Sequence, residues 1–269
     1  MIRQPITSRT RLLLGVGSVV ALLVAYTLLS MWQQQVNPDS RTIPGWFAIA
    51  EAVQRAASPA PISGDIILIQ DTLATFGRLL AGLAVAVASA LVIGIAMGCF
   101  TPVEALLAPP LAFLAKIPPT AMLAVFFVIV GVGGSGFYIA MIAFGVTPTL
   151  AQAVYLSARD DVPRELLDKA STLGASPVEL ILAVVLRQVA PRLIEAVRLQ
   201  VGPAMVYLIA AEYVVADVGY GYRLRIEARK INFDLVYFYL AVLGVVGLLT
   251  DLALTQLRRT LCPWFSRTA

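Results

Sequence analysis

The sequence predicts an all-α membrane protein of six transmembrane helices, with a short capped helix on the cytoplasmic side between spans four and five. Three observations carry that reading. Of the 269 residues, 59% are hydrophobic and 13% charged, about half the charged share of a soluble domain. Mean hydropathy is +0.85. The apolar residues also gather into stretches long enough to cross a hydrocarbon core of about 30 Å as helices.

Leu12–Met31, Leu79–Phe100, Phe137–Ala158 and Leu235–Leu257 are uninterrupted in this sense and form spans one, two, four and six. Leu111–Val132 contains Lys116 and the Pro118-Pro119 pair, and Leu199–Ala216 contains Pro203 and Glu212. Helices in lipid keep such residues where neighbouring helices or a water-filled path satisfy them, so these read as spans three and five. Arg3, Arg9 and Arg11 before the first apolar run suit a signal peptide. That run is about 20 residues, longer than a usual signal core, and no A-x-A-like cleavage site follows, so an uncleaved anchor is expected. Cys99 and Cys262 lie far apart without C-x-x-C spacing and read as small apolar residues.

With six spans both termini share one side. Arg3, Arg9, Arg11, Arg159, Arg164, Lys169, Arg187, Arg192, Arg258, Arg259 and Arg267 then fall together, and the positive-inside tendency makes that side cytoplasmic. Arg41, Arg55, Arg223, Arg225, Arg229 and Lys230 are the smaller outer set. A pI near 9.2 is accounted for by these flanking arginines and calls for no nucleic acid. Residues 32–70 form an external segment whose turn formers, Pro38, Pro44, Pro59, Pro61 and Gly64, surround an amphipathic piece, Trp46–Ala57. Phe47, Ile49, Ala50 and Val53 give it an apolar face suited to the membrane surface. No internal repeat is visible, and one membrane domain, residues 1–269, fills the chain.

Several chemistries find no residues here. There is no histidine, which removes the commonest general base and metal ligand. None of the three lysines follows the glycine of a G-x-x-x-x-G-K-[ST] loop, so the chain holds no ATP by that route, and no G-x-S-x-G elbow occurs. The run Gly131-Val132-Gly133-Gly134-Ser135-Gly136 matches G-x-G-x-x-G in form. It joins two apolar spans instead of a strand and a helix, and reads as an external turn.

The informative stretch is cytoplasmic, residues 160–191. Asp160 and Asp161 offer oxygens to free backbone N–H groups, and Pro163 suits a first helical turn. Leu166, Leu167, Ala170 and Leu173 make one stripe of a helix, with Arg164, Glu165, Asp168, Lys169, Ser171 and Thr172 over much of the rest. Gly174 supplies a left-handed stop. A second helix starts at once, with Ser176 as N-cap, Pro177 at the first position and Glu179 closing a capping box. A loop that only connects two spans needs neither caps nor an apolar stripe. The pattern predicts a small rigid protrusion built to dock.

Asp168-Lys169-Ala170, three residues, Gly174, nine residues, then Val184-Val185-Leu186 resembles the E-A-A-x(3)-G-x(9)-I-x-L-P signature of ABC importer permeases. The run from Val162 to Glu165 and on to Ser176 resembles the taurine, aliphatic sulfonate and nitrate branch. So do Ile117-Pro118-Pro119, Ala211-Glu212, Gly219-Tyr220-Gly221 and the closing Arg258-Arg259 with Pro263-Trp264. Pattern and order agree from Ile43 to Trp264. The chain departs from the signature at Asp168 for Glu, Lys169 for Ala and Arg187 for the final Pro, while Pro191 matches a second proline of this branch.

The resemblance implies a bacterial inner-membrane, multi-pass permease, usually a homodimer, with two cytoplasmic ATPase subunits and a periplasmic or lipid-anchored solute-binding protein. It implies that the helix before the glycine is a coupling helix seated in a groove of the ATPase. Glu165, Asp168, Lys169, Ala170, Leu173 and Gly174 are then its coupling residues. ATP and Mg belong to that partner, and this chain carries no cofactor and is not itself an enzyme. A small anion, taurine-, sulfonate- or nitrate-like, is the solute class the branch implies. Arg78 and Glu212 are the candidate pathway residues, since ionisable groups inside membrane helices mark functional paths unless they pair with one another. Asp251 reads as the partner of a nearby arginine, and Gly94 with Gly98 as a site of close helix approach. An ATP-independent secondary transporter or channel is the alternative function. An intramembrane enzyme is a third reading, disfavoured by the missing histidine and nucleophile motifs.

Overall fold

The computed structural model describes residues 7–37, 42–59, 64–131 and 134–265, and within them it is helical with one isolated β-bridge, Pro59 to Ile66. Arg3, Arg41, Arg267, Pro38, Pro61 and the Val132-Gly133 pair lie outside the described residues. The helices are α1 (Ser8–Val36), α2 (Trp46–Ala57), α3 (Ile67–Cys99), α4 (Thr101–Leu114), α5 (Leu123–Val130), α6 (Ser135–Asp160), α7 (Arg164–Thr172), α8 (Pro177–Glu179), α9 (Leu186–Val215), α10 (Tyr220–Arg229) and α11 (Phe233–Leu261). A 3₁₀ turn, Pro119–Met122, precedes α5, and a π-helical stretch, Leu180–Val185, joins α8 to α9.

Among the described residues four helices are long and apolar enough to cross a membrane: α1 from Arg9, α3, α6 and α11. The pair Thr101–Leu114 and Pro119–Val130 passes the same test together but bends by 84° at its break. Pro118 and Pro119 explain the break, because neither can donate a backbone hydrogen bond back to α4. The fifth stretch of the sequence reading, Leu199–Ala216, ends one residue past α9.

The chain divides into two compact units, residues 1–67 with 224–240, and residues 68–223 with 241–269. In the first unit Tyr26 on α1 donates to the Pro44 carbonyl at 2.6 Å and meets the Trp46 ring edge-on, while Trp46 Nε1 donates to Thr27 Oγ1. Arg55 pairs with Asp234. α2 has the bounds read from the sequence, but its buried residues are Ala52 and Ala56, whereas Phe47 is exposed.

In the second unit α6 is the central helix and packs along α9, with Phe137, Met141, Ile142, Val146 and Leu150 buried. Glycines on α3 allow contact at backbone distance. A Cβ at Gly94 would lie 2.6 Å from Val154 Cβ, and one at Gly98 would lie 2.5 Å from Ala158 Cβ. The close approach expected of Gly94 and Gly98 is therefore made to α6. Ion pairs tie helices together: Glu104 with Arg159, Asp161 with Arg192, Glu195 with Arg258, and Asp251 with Arg198 as its arginine partner.

Candidate functional site

The stretch between α6 and α9 folds as helix, glycine turn, helix. α7 has no buried residue. Gly174 takes φ +85°, a conformation that costs glycine little, and Ala175 N donates to the Ala170 carbonyl at 3.1 Å to close the turn. Glu179 N donates to Ser176 Oγ, and Ser176 N donates to Glu179 Oε2 at 2.8 Å, so both halves of the capping box form. The backbone N–H of Ser176, and then its hydroxyl, hold the Glu179 carboxyl below the usual carboxylate range.

The apolar stripe of α7 divides. Leu167 turns inward onto a cluster of Val154, Ala158, Val162, Val185 and Val189, and Ala170 is half-buried. Leu166 remains exposed, and Leu173 is 89% exposed. Glu165, Asp168, Lys169 and Gly174 are also exposed, so the six candidate coupling residues form one continuous element with an open face. One expectation is corrected. Asp160 and Asp161 do not cap α7, which has no side-chain cap, and Pro163 stands at its N-cap. Asp160 is the last residue of α6, while Asp161 accepts from Ser157 Oγ at 2.9 Å and pairs with Arg192 at 3.3 Å. The acidic pair therefore ends α6, with Asp161 held by Ser157 on α6 and by Arg192 on α9 instead of by the first turn of α7.

Arg78 and Glu212 meet. Glu212 is fully buried on α9 and accepts from Arg78 Nη1 at 2.8 Å, from Thr75 Oγ1 at 3.0 and 2.9 Å, and from Gly221 N at 3.0 Å. Arg78 Nη1 also donates to the Val218 carbonyl, and its guanidinium stacks 4.1 Å over the Tyr138 ring. Two further residues that the sequence reading did not single out, Asp71 and Thr75, complete the arrangement. Asp71, also fully buried, accepts from Gly219 N at 2.9 Å and pairs with Arg223 at 2.8 Å, and Thr75 accepts from Tyr220 N. Asp71, Thr75 and Arg78 fall at i, i+4 and i+7 of α3, a polar stripe on an apolar helix. That stripe was the available signal.

The Gly219-Tyr220-Gly221 motif acquires a physical role here. A Cβ at Gly219 would lie 2.7 Å from Glu212 Oε1, and one at Gly221 would lie 2.5 Å from Glu212 Cβ. Only glycine allows this backbone to close over the carboxylate. On its other side Arg78 borders a cavity of about 420 Å³ lined with Leu73, Ala74, Gly77, Ala81, Ser135 and Ile139. Among the described residues no three His, Cys, Asp or Glu side chains converge to hold a metal ion.

Residues 90–261 match the family described as "binding-protein-dependent transport system inner membrane component". The chain belongs to that family. It is thus an ABC transporter permease, a multi-pass inner-membrane component. The permease is 27% identical over 262 residues to the taurine transport system permease protein TauC of Escherichia coli, covering 97% of this chain and 92% of TauC. It is 26% identical over 240 residues to a probable ABC transporter permease of Brucella abortus, covering 84% of this chain and 92% of that protein. A crystal structure of the MetNI methionine ABC transporter in an inward-facing conformation contains a chain of the same fold, at a TM-score of 0.62 and 17% identity, covering 72% of this chain and 96% of that one.

Proposed function

We propose that this permease is the transmembrane subunit of an ATP-driven importer, forms half of a translocation path for a small anionic solute, and couples that path to a separate ATPase through α7. The observation that carries the proposal is the α7–Gly174–α8 element. It is amphipathic, closed by a glycine turn and capped at its second helix, yet it leaves Leu166 and Leu173 uncovered. Burying an apolar side chain of that size contributes about 2 kcal/mol, so an exposed pair on a charged helix favours a docking partner. Glu165, Asp168, Lys169, Ala170, Leu173 and Gly174 are the proposed contact residues.

In this reading α1, α3, the bent α4–α5 pair, α6, the part of α9 within Leu199–Ala216, and α11 are the six spans. Both termini and residues 160–191 are cytoplasmic, and residues 32–70 are external. The permease works as a homodimer with two ATPase subunits, which hold ATP and Mg, and with a periplasmic or lipid-anchored binding protein. Kinship with a taurine permease supports a sulfonate-like solute. Arg78 borders the path from the cavity side, and Glu212 holds it there.

Affinity purification of the tagged permease from detergent, followed by an ATPase assay, tests the proposal. A stoichiometric ATPase is expected with the wild type and is lost in Asp168→Lys/Lys169→Glu. If the protein purifies alone and moves solute into liposomes without ATP, the proposal fails and an ATP-independent transporter replaces it.

A further inference from the structure

Lys116 stands at the break of the bent pair. Ala115 N donates to the Leu111 carbonyl and Lys116 N to the Phe113 carbonyl, so the lysine sits in the closing turn of α4. The carbonyl end of a helix favours a cation, which accounts for a lysine there. It leaves the ammonium itself unanswered. Lys116 is exposed, and among the described residues no carboxylate pairs with it.

Its depth follows from its neighbours. A Cβ at Gly145 would lie 2.7 Å from Pro119 Cγ and 2.5 Å from the Tyr207 ring, so the break packs on α6 at Gly145. Gly145 is ten residues beyond Ser135, where α6 begins, or about 15 Å along the helix at 1.5 Å per residue. That is half of a hydrocarbon core of about 30 Å. From mid-depth the four-methylene stem of lysine falls short of either interface. An uncompensated ammonium there is costly against lipid, so the face that carries it opens on water. Broken helices in transporters set their half-helix ends at the solute for a related reason, since the free backbone groups must line a cavity.

We propose that Lys116 is the anion-contacting residue of the translocation path, with its ammonium answering the carboxylate or sulfonate group of the passing solute. This rests on the reading of the permease as half of a path. It adds the residue that makes the path selective for anions.

The test uses the full chain co-expressed with its ATPase in membrane vesicles, with Cys99→Ala, Cys262→Ala and a reporter, Ala112→Cys. Ala112 is exposed on α4, four residues before Lys116. The probes are an anionic thiol reagent, sulfonatoethyl methanethiosulfonate, and its cationic trimethylammonioethyl counterpart. The reporter is expected to react with both and to favour the anion. Lys116→Met should lower the anionic-to-cationic rate ratio about tenfold, the effect of one nearby unit charge on reagents of opposite sign. Lys116→Glu should invert the preference, and Lys116→Arg should preserve it.

A reporter that reacts only after denaturation would show this face sealed by lipid or by a second copy, and would overturn the proposal. So would a ratio indifferent to Lys116→Met. Labelling after denaturation reports how much chain is present, which separates misfolding from shielding. Loss of the co-purifying ATPase sinks the importer reading alone, so the two failures are distinguishable.

Discussion

Arg78 Nη1 donates at once to Glu212 Oε1, at 2.8 Å, and to the Val218 carbonyl, at 2.9 Å, so one guanidinium ties α3 to α9 and to the turn that follows α9. Glu212 has no exposure and the Arg78 side chain 14%. A buried pair of this kind is costly to break from one side. Arg78→Met is expected to lower stability by about 3 kcal/mol, because Glu212 then stays buried with only neutral donors. Arg78→Met/Glu212→Leu should recover most of that loss. Unfolding midpoints in detergent measure both, and equal losses for the single and double variants would contradict the account.

The glycine turns separate two kinds of damage. Gly219→Ala brings a methyl group to 2.7 Å from Glu212 Oε1 at φ +121°, and should destabilise the protein by about 2 kcal/mol or more. Gly174→Val strains a turn at φ +85° with nothing within 4 Å of the new Cβ. Its fold should survive while solute uptake falls and ATP hydrolysis loses its response to solute. Paired uptake and ATPase assays decide this, and normal values in both would refute it.

Ile231 is a β-branched residue at φ 59°, exposed between α10 and α11. Such a residue in the left-handed region is strained by about 1 kcal/mol. Ile231→Gly should therefore raise the detergent unfolding midpoint, an unusual direction for a glycine substitution. A fall in the midpoint would show that the isoleucine side chain makes a contribution larger than its strain.

Glu179 gives a pH dependence of known sign. Its carboxyl is held below the usual range by Ser176, so the capping box contributes stability that is present above the unfolded pKa of about 4.3 and lost as pH falls through the lower folded value. Hydrogen-exchange protection of residues 178–182, corrected for intrinsic rates, should hold near pH 6 and decline below about pH 4. Ser176→Ala should lower it at both, by about 1 kcal/mol for the lost cap. Protection indifferent to pH in the wild type would remove the carboxylate from the cap.

Much of the architecture was legible because membrane helices must satisfy their own backbone, and length with composition then marks them. The bounds of α2, the start of α7 at Arg164, Gly174 and the Ser176–Glu179 box could all be read from local spacing, since each depends on residues within one turn. The cap assigned to Asp160 and Asp161 failed because the competing partner, Arg192, lies far along the chain. The lock around Glu212 was half visible. Glu212 and Arg78 stood out as charges in apolar helices, but Asp71 and Thr75 did not, because one acid near a helix start is unremarkable until its partner is known.

The sequence by itself determined that the chain is helical and membrane-embedded, that a capped helix–glycine–helix element interrupts its spans, and which family it resembles. These follow from composition and short-range periodicity, where the solvent and the helical repeat do the selecting. Only the tertiary structure decided that Arg78 and Glu212 neutralise each other, that Gly219 and Gly221 exist to admit a carboxylate, and that Lys116 stands exposed at the break between α4 and α5. Those outcomes depend on pairing across more than a hundred residues in some cases, and in all of them on close packing, which sets what a charge meets once water has been excluded.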